Sequence, residues 1–360
     1  MKYYGEIPII RSFAAMLVVL VHVSANIYYN NGEFTNDLIG YINQIGRLGT
    51  PVFAVISAFL LTSSVLNRGF DLSYFIKSRF TKILVPYLIW SIFYLFYRYF
   101  YLNNLSEDIN IFTYFMRGNA QFHLYFILTV IQFYIFFPFI HRIKKGAPLI
   151  ITVIISGLIN YWWINKGNTS IENEFVNNFI NNKGFILNWI YFFVIGIAYS
   201  KYYNEIQELI VKYKNILFVF IAILSLDLFI SVDLQNIYTS LHSFNIIYIP
   251  FFLILINYVY HYLIADRLII SILTLIGNYS MGIYLVHILV IDVLKRMKIF
   301  ENVANPTMFI PMFLSTILGS MFIVYLISKL PYGNYIVPIP KRKQSNKASN
   351  LASKNMEPNI

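Results

Sequence analysis

Apolar stretches of about 20 residues, long enough at 1.5 Å per residue to cross a hydrocarbon layer, recur along the chain between short polar segments. They predict ten spanning helices near 7–28, 47–66, 83–102, 121–140, 147–165, 185–203, 215–232, 243–264, 278–294 and 308–328. A shorter apolar stretch at 268–276 reads as an interfacial helix or a re-entrant lead-in to the ninth span. The expected fold class is an all-α polytopic membrane protein with about ten transmembrane helices. Apolar sequence begins within the first ten residues and continues past Tyr28 with no small-residue cleavage site. That segment is therefore expected to stay as the first span and not to leave as a signal peptide. No internal repeat or pair of symmetrically broken helices marks an inverted-repeat transporter. Residues 1–330 read as one transmembrane domain. Residues 331–360 read as a basic tail, polar from Lys341 onward and expected to be disordered beside anionic headgroups.

Composition agrees with the pattern and excludes the soluble classes. Hydrophobic residues make up 58%, against roughly 45–50% in a soluble domain. Charged residues make up 12%, against about 25%. Mean hydropathy is +0.62. These values exclude an ordinary soluble enzyme and a disordered or collagen-like chain. The net charge of +11 would raise nucleic-acid binding in a soluble protein. In a membrane protein it is the Lys and Arg surplus of cytoplasmic loops, so no nucleic-acid partner is expected. Placing the N-terminus inside gathers most basic residues on the cytoplasmic side, among them Arg79, Lys82, Lys144, Lys201 and those of the tail, and both termini are then cytoplasmic. Lys295, Arg296 and Lys298 fall on the other side, an exception that the sequence alone does not account for. The absence of cysteine excludes disulfides, thiolate metal sites and cysteine nucleophiles.

Ionisable groups inside a bilayer are costly and usually functional. Arg11 and His22 both lie in the first stretch, eleven residues apart. At 100° per residue they share a helix face, about 16 Å apart along the axis. A permanent cation and a titratable imidazole on one face suit an anionic substrate and its proton. A snorkelling arginine and an interhelical hydrogen bonder fit the same residues. Ser280, Tyr284 and His287 follow i, i+4, i+7 spacing and form one polar stripe on an apolar helix. Such a stripe faces a cavity or serves to pack helices together. Asp292 lies five residues beyond His287, about 140° around the helix, and so is not the residue that orients this ring. Arg79 and Lys82 stand three apart at a helix edge, where they could grip phosphates or only set topology. Asp227, inside the seventh stretch, must be protonated, paired or facing water. His141, His242 and His261 read as structural. No zinc-protease, phosphate-loop or nucleophile-elbow motif is present, and no metal site is expected.

Taken in order, several of these residues resemble a known family. Arg11 and His22 match an Arg-x10-His motif. Gly49-Thr50-Pro51-Val52-Phe53-Ala54-Val55-Ile56-Ser57-Ala58-Phe59-Leu60-Leu61 is like a Val-Pro-Leu-Phe-Phe-x-x-Ser-Gly-Phe-Leu stretch. Arg79, Lys82 and Pro86 follow, then Phe122-His123-Leu124-Tyr125-Phe126, and last the segment from Ser280 to His287. Each match is weak alone, and the five in order are specific. They resemble the membrane-bound acyltransferase 3 family, bacterial enzymes that O-acylate surface glycans. The branch is similar to the membrane acyltransferases of biofilm poly-N-acetylglucosamine and teichoic-acid systems.

The chain departs from the family pattern at several positions. Ser12 and Ala58 stand where the family has Gly, which loses the closest backbone approach. Lys82 replaces an Arg and Tyr125 a Trp. The resemblance implies a multi-pass protein of the bacterial cell membrane. It would move an acetyl or succinyl group from cytoplasmic acyl-coenzyme A to hydroxyls of a surface polysaccharide, with no permanently bound cofactor. It implies that Arg79, Lys82 and Arg11 hold the donor and that His22 acts as general base or acyl carrier. Arg11, Ser280, Tyr284 and His287 would complete the catalytic set, with Ser57, His123 and Tyr125 binding substrate. The membrane domain would finish the transfer itself, or a glycan synthase or separate extracytoplasmic transferase would take part. An exporter of polysaccharide or lipid-linked sugar without acyl chemistry is the alternative.

Overall fold

A computed structural model describes residues 4–31, 36–105, 110–231, 239–263, 265–300 and 305–340. Among these residues every regular element is helical. This follows from the solvent: hydrocarbon offers no hydrogen bonds, so each spanning segment must satisfy its own backbone. The first half of the chain forms α1 (Glu6–Asn31), α2 (Asp37–Gly46), α3 (Gly49–Arg68), α4 (Leu72–Arg79), α5 (Val85–Tyr97), α6 (Ile111–Arg117), α7 (Tyr125–Ile140) and α8 (Ala147–Asn165). The second half forms α9 (Glu174–Ile180), α10 (Ile190–Lys201), α11 (Tyr203–Lys212), α12 (Lys214–Ser231), α13 (Asn245–Leu263), α14 (Arg267–Lys295), α15 (Phe309–Lys329) and α16 (Gly333–Ile336).

Seven helical segments are long and apolar enough to cross a bilayer, and α7, α10 and most of α13 are shorter apolar helices. Of the ten expected spans, seven fall on segments of spanning length, and the three near 121–140, 185–203 and 243–264 fall on the shorter helices α7, α10 and α13. Two features differ from the sequence reading. The stretch 268–276 is not a separate interfacial element, because α14 runs unbroken for 29 residues from Arg267. Its start is capped by Asp266, whose carboxylate accepts from the Leu268 and Ile269 amides. The second is the added helix α2 ahead of the second span, capped by Asn36 through the Ile39 amide.

The centre is built by α1 packed on α14 and α3, by α3 on α10, and by α14 on α15. Val52, Val55, Phe59, Phe133, Phe192 and Phe193 are fully buried there. α12 buries only Ile221 and exposes Phe218, Phe220, Leu226 and Phe229, the surface a lipid-facing helix needs. The carboxylate of Asp227 on this helix is paired, accepting from the Tyr248 hydroxyl at 2.6 Å. His141 stacks on Phe70 at 4.3 Å and on Phe137 at 5.3 Å, in keeping with a structural role. The packed chain continues past residue 330. Gly333–Ile336 forms α16, Val337 is buried, and the Trp90 indole donates to the Ile336 carbonyl at 3.1 Å. The tail from Lys341, expected to be disordered, lies outside the described residues.

Gln132 on α7 ties down the loop before α10. Its amide donates to the Gly184 carbonyl at 2.8 Å and its oxygen accepts from the Ile186 amide at 3.1 Å. Gln132→Leu keeps the size but leaves the Ile186 N–H unsatisfied. The expected loss is about 1–3 kcal/mol of stability, read as a lower melting temperature of the detergent-solubilised protein, with membrane insertion unchanged.

Candidate active site

Two cavities meet inside the bundle. The first, of about 200 Å³, is lined by Arg11, Ser57, Arg79, Lys82, Ser280 and Tyr284, which come from α1, α3, the α4–α5 rod and α14. Arg11 donates through Nε to the Ser280 hydroxyl at 3.1 Å, joining the polar stripe of α14 to the cation of α1. Arg79 donates to the Ser78 hydroxyl at 2.9 Å, its guanidinium stands 5.5 Å from the Tyr134 ring centre, and its buried Nε has no hydrogen-bond partner. Lys82 sits in a π-helical turn, Phe80–Leu84. Pro86 follows it and has no N–H to give the Lys82 carbonyl, and the wider turn absorbs that loss.

The second cavity, of about 510 Å³, is lined by His22, His123, Tyr125 and Tyr284. Three cations, Arg47, Lys183 and Lys295, and one carboxylate, Asp292, also line it. Tyr284 belongs to both cavities and separates them. Its hydroxyl donates to the His123 backbone carbonyl, which locks α14 to the segment preceding α7.

Three histidines gather at this wall. The His287 ring lies 5.1 Å from that of His22 and 5.0 Å from that of His123. His287 Nδ1 stands 2.8 Å from the Tyr284 carbonyl and 3.1 Å from the Ile283 carbonyl. Both neighbours are acceptors, so Nδ1 carries the proton and Nε2 presents a lone pair. That Nε2 is buried without a partner. The backbone, and not Asp292, therefore orients the ring. His123 is buried and neither of its nitrogens makes a well-formed hydrogen bond. Tyr94 packs 5.4 Å from His123 and donates to the Leu285 carbonyl at 2.8 Å. Among the described residues no group of His, Asp or Glu is placed to hold a metal ion.

Most of the residues singled out from sequence thus converge, but in two places. Arg11, Ser57, Arg79, Lys82 and Ser280 line the basic cavity. His22, His123 and Tyr125 line the other, where His287 closes on them. Arg11 and His22 share a face of α1, as the spacing required, yet open into different cavities. The sequence reading missed Arg47 and Lys183, and it did not place Asp292 and Lys295 at a site. The out-of-place cation at Lys295 was the signal that could have found the second cavity.

Comparison with known proteins agrees with the motif order. A family model described as an acyltransferase domain, that of the acyltransferase 3 family, matches residues 4–327. The chain is 24% identical over 330 residues to a Staphylococcus aureus protein named "Probable poly-beta-1,6-N-acetyl-D-glucosamine export protein", covering 87% of this chain and 89% of the relative. A Staphylococcus epidermidis protein of the same name is 24% identical over 329 residues, covering 87% and 88%. No solved structure matches. With a family match spanning nearly its whole described length, the chain belongs to the acyltransferase 3 family.

Proposed function

We propose that the protein is an integral-membrane O-acyltransferase, with acyl-coenzyme A as donor in the basic cavity and a polysaccharide hydroxyl as acceptor in the histidine cavity. One observation carries this reading: the two cavities abut at Tyr284, with the Arg11, Arg79 and Lys82 cations on one side and the histidines on the other. In this reading the basic cavity faces the cytoplasm, where the donor is made, and the histidine cavity faces the outside, where the glycan lies, as the distribution of Lys and Arg suggests. Arg79 and Lys82 hold phosphates, and Arg11 with Ser280 sits farther along the thioester arm.

The acceptor hydroxyl gives its proton to His22, and its oxygen bonds to the thioester carbonyl carbon. The carbonyl electron pair moves onto oxygen and returns as the carbon–sulfur bond breaks. The coenzyme A thiolate leaves and takes up a proton, so the products are the ester and the free thiol. His287 Nε2, with its tautomer set by the backbone, then passes the proton on. In this reading the Tyr284 hydroxyl, at the wall, turns from the His123 carbonyl toward the oxyanion.

The second reading is a polysaccharide exporter, which the printed names of the staphylococcal relatives favour. Against it stands the narrowness of the junction at Tyr284: the turn of one side chain suffices for a thioester carbonyl to meet a hydroxyl there, whereas passage of a sugar chain needs the surrounding helices to part. The protein in nanodiscs is expected to bind and consume acetyl- or succinyl-coenzyme A, with Arg79→Ala raising KM about tenfold through the lost charge-assisted bonds to phosphate. No binding or consumption of either thioester would give way to the exporter.

A further inference from the structure

A third cavity, of about 270 Å³, lies at the turn between α3 and α4 and shares Arg79 with the basic cavity. The turn is made by Gly69, whose φ of +76° lets the chain reverse at the end of α3. The reversal lays Phe70 against Phe75, 5.7 Å between ring centres, and against His141. Phe70, Tyr74 and Phe75 give the cleft an aromatic wall. Arg68 stands at the rim. It donates to the Tyr74 hydroxyl at 2.9 Å and to the Ser64 hydroxyl, with its guanidinium 4.5 Å from the Tyr74 ring centre. Among the described residues no carboxylate is ion-paired with it. Asp71, the carboxylate lining this cleft, caps α4 through the Tyr74 amide at 2.7 Å. The cleft thus combines flat aromatic faces, one guanidinium with its charge not neutralised, and a second guanidinium, Arg79, with an unpartnered buried Nε on the wall toward the donor cavity.

We propose that this cleft seats the adenosine 3′-phosphate end of the acyl-coenzyme A donor, which is to say a phosphorylated purine nucleoside. This rests on the donor reading above and extends it to a second, separate cavity. Purines stack on aromatic side chains and on guanidinium planes. A guanidinium at the rim offers a planar fork to a phosphate. The donor carries a nucleotide at one end and a thioester at the other, so it needs two linked subsites. Arg79, in the wall between the cavities, faces the diphosphate between them, and the pantetheine arm runs on past Arg11.

The test uses the full chain in nanodiscs of phosphatidylcholine, so that no anionic lipid competes. Adenosine 3′,5′-bisphosphate is expected to bind saturably, with Arg68→Ala weakening it about tenfold. On the wild-type protein, dephospho-coenzyme A is expected to compete about tenfold less well than coenzyme A, a comparison that needs no variant to fold. The preference in kcat/KM for acetyl-coenzyme A over acetyl-pantetheine should shrink in Arg68→Ala. Equal competition by coenzyme A and dephospho-coenzyme A would overturn the assignment. So would binding confined to inorganic phosphate or to vesicles with anionic lipid, which would make the cleft a headgroup rest. Thioester turnover with no dependence on the 3′-phosphate would remove this subsite alone. Bisphosphate binding through Arg68 without any turnover would keep the subsite and remove the acyltransferase reading.

Discussion

His22→Ala is expected to abolish acyl transfer while the protein still folds and inserts. His22 lines the larger cavity with His123 and stands 5.1 Å from His287. A positioned general base contributes roughly 10²–10⁴ to the rate, so acyl transfer should fall by about that factor with little change in donor KM. The side chain contacts Phe122 and His287 rather than the packed centre of α1, so truncation leaves the helix interfaces in place. The measurement is thioester consumption by purified protein in nanodiscs, beside a check of yield and melting temperature. A fully active His22→Ala protein would sink the assignment. Rapid acid quench during turnover separates the two roles open to this imidazole. Label that stays on the wild-type protein and is absent from His22→Ala marks an acyl carrier; its absence from both marks a general base.

The helices and half of the site could be read from the chain because both depend on local periodicity. Apolar stretches of spanning length required helices, and i, i+4, i+7 spacing fixed Ser280, Tyr284 and His287 on one stripe of α14. The eleven-residue interval likewise put Arg11 and His22 on one face of α1. Periodicity does not say what faces a stripe. The approach of His123 to His287 joins positions 164 residues apart, and the Tyr284 hydroxyl reaches the His123 carbonyl across 161. Tertiary packing alone sets such pairs. The stripe also divides between two cavities, with Ser280 on the Arg11 side and His287 on the His22 side, because Tyr284 fills the wall between them. Helical angle puts Asp292 off the His287 face. It does lie off that face, but it lines the same cavity as Lys295 from the next turn, and helical angle gave no hint of where that wall would be.

Gly196→Val is expected to cost a large share of stability, because it acts where two central helices, α3 and α10, approach closely. A side chain on Gly196 of α10 would run into the Val55 backbone carbonyl of α3, and its Cβ would lie 2.8 Å from that of Ala58. Real Cβ atoms do not come so close, and backbone cannot swing aside as a flexible side chain can. Overpacking of this kind costs typically about 1–3 kcal/mol, and with backbone as the obstacle the upper end is expected. The location also explains a departure from the family pattern. Where the family places Gly after its serine, this chain has Ala58, and the glycine that permits close approach is on the facing helix at 196. Ala58→Gly introduced together with Gly196→Ala should therefore recover part of the loss. It relieves the side-chain contact but leaves the Val55 carbonyl in the way. Thermal unfolding of Gly196→Ala, Gly196→Val and the double variant reads the order directly. A Gly196→Val protein as stable as wild type would mean that α3 and α10 can separate freely. Ser57 lies one residue before Ala58 on α3 and lines the basic cavity, so a shift of α3 should raise donor KM in Gly196→Ala even where the protein remains folded.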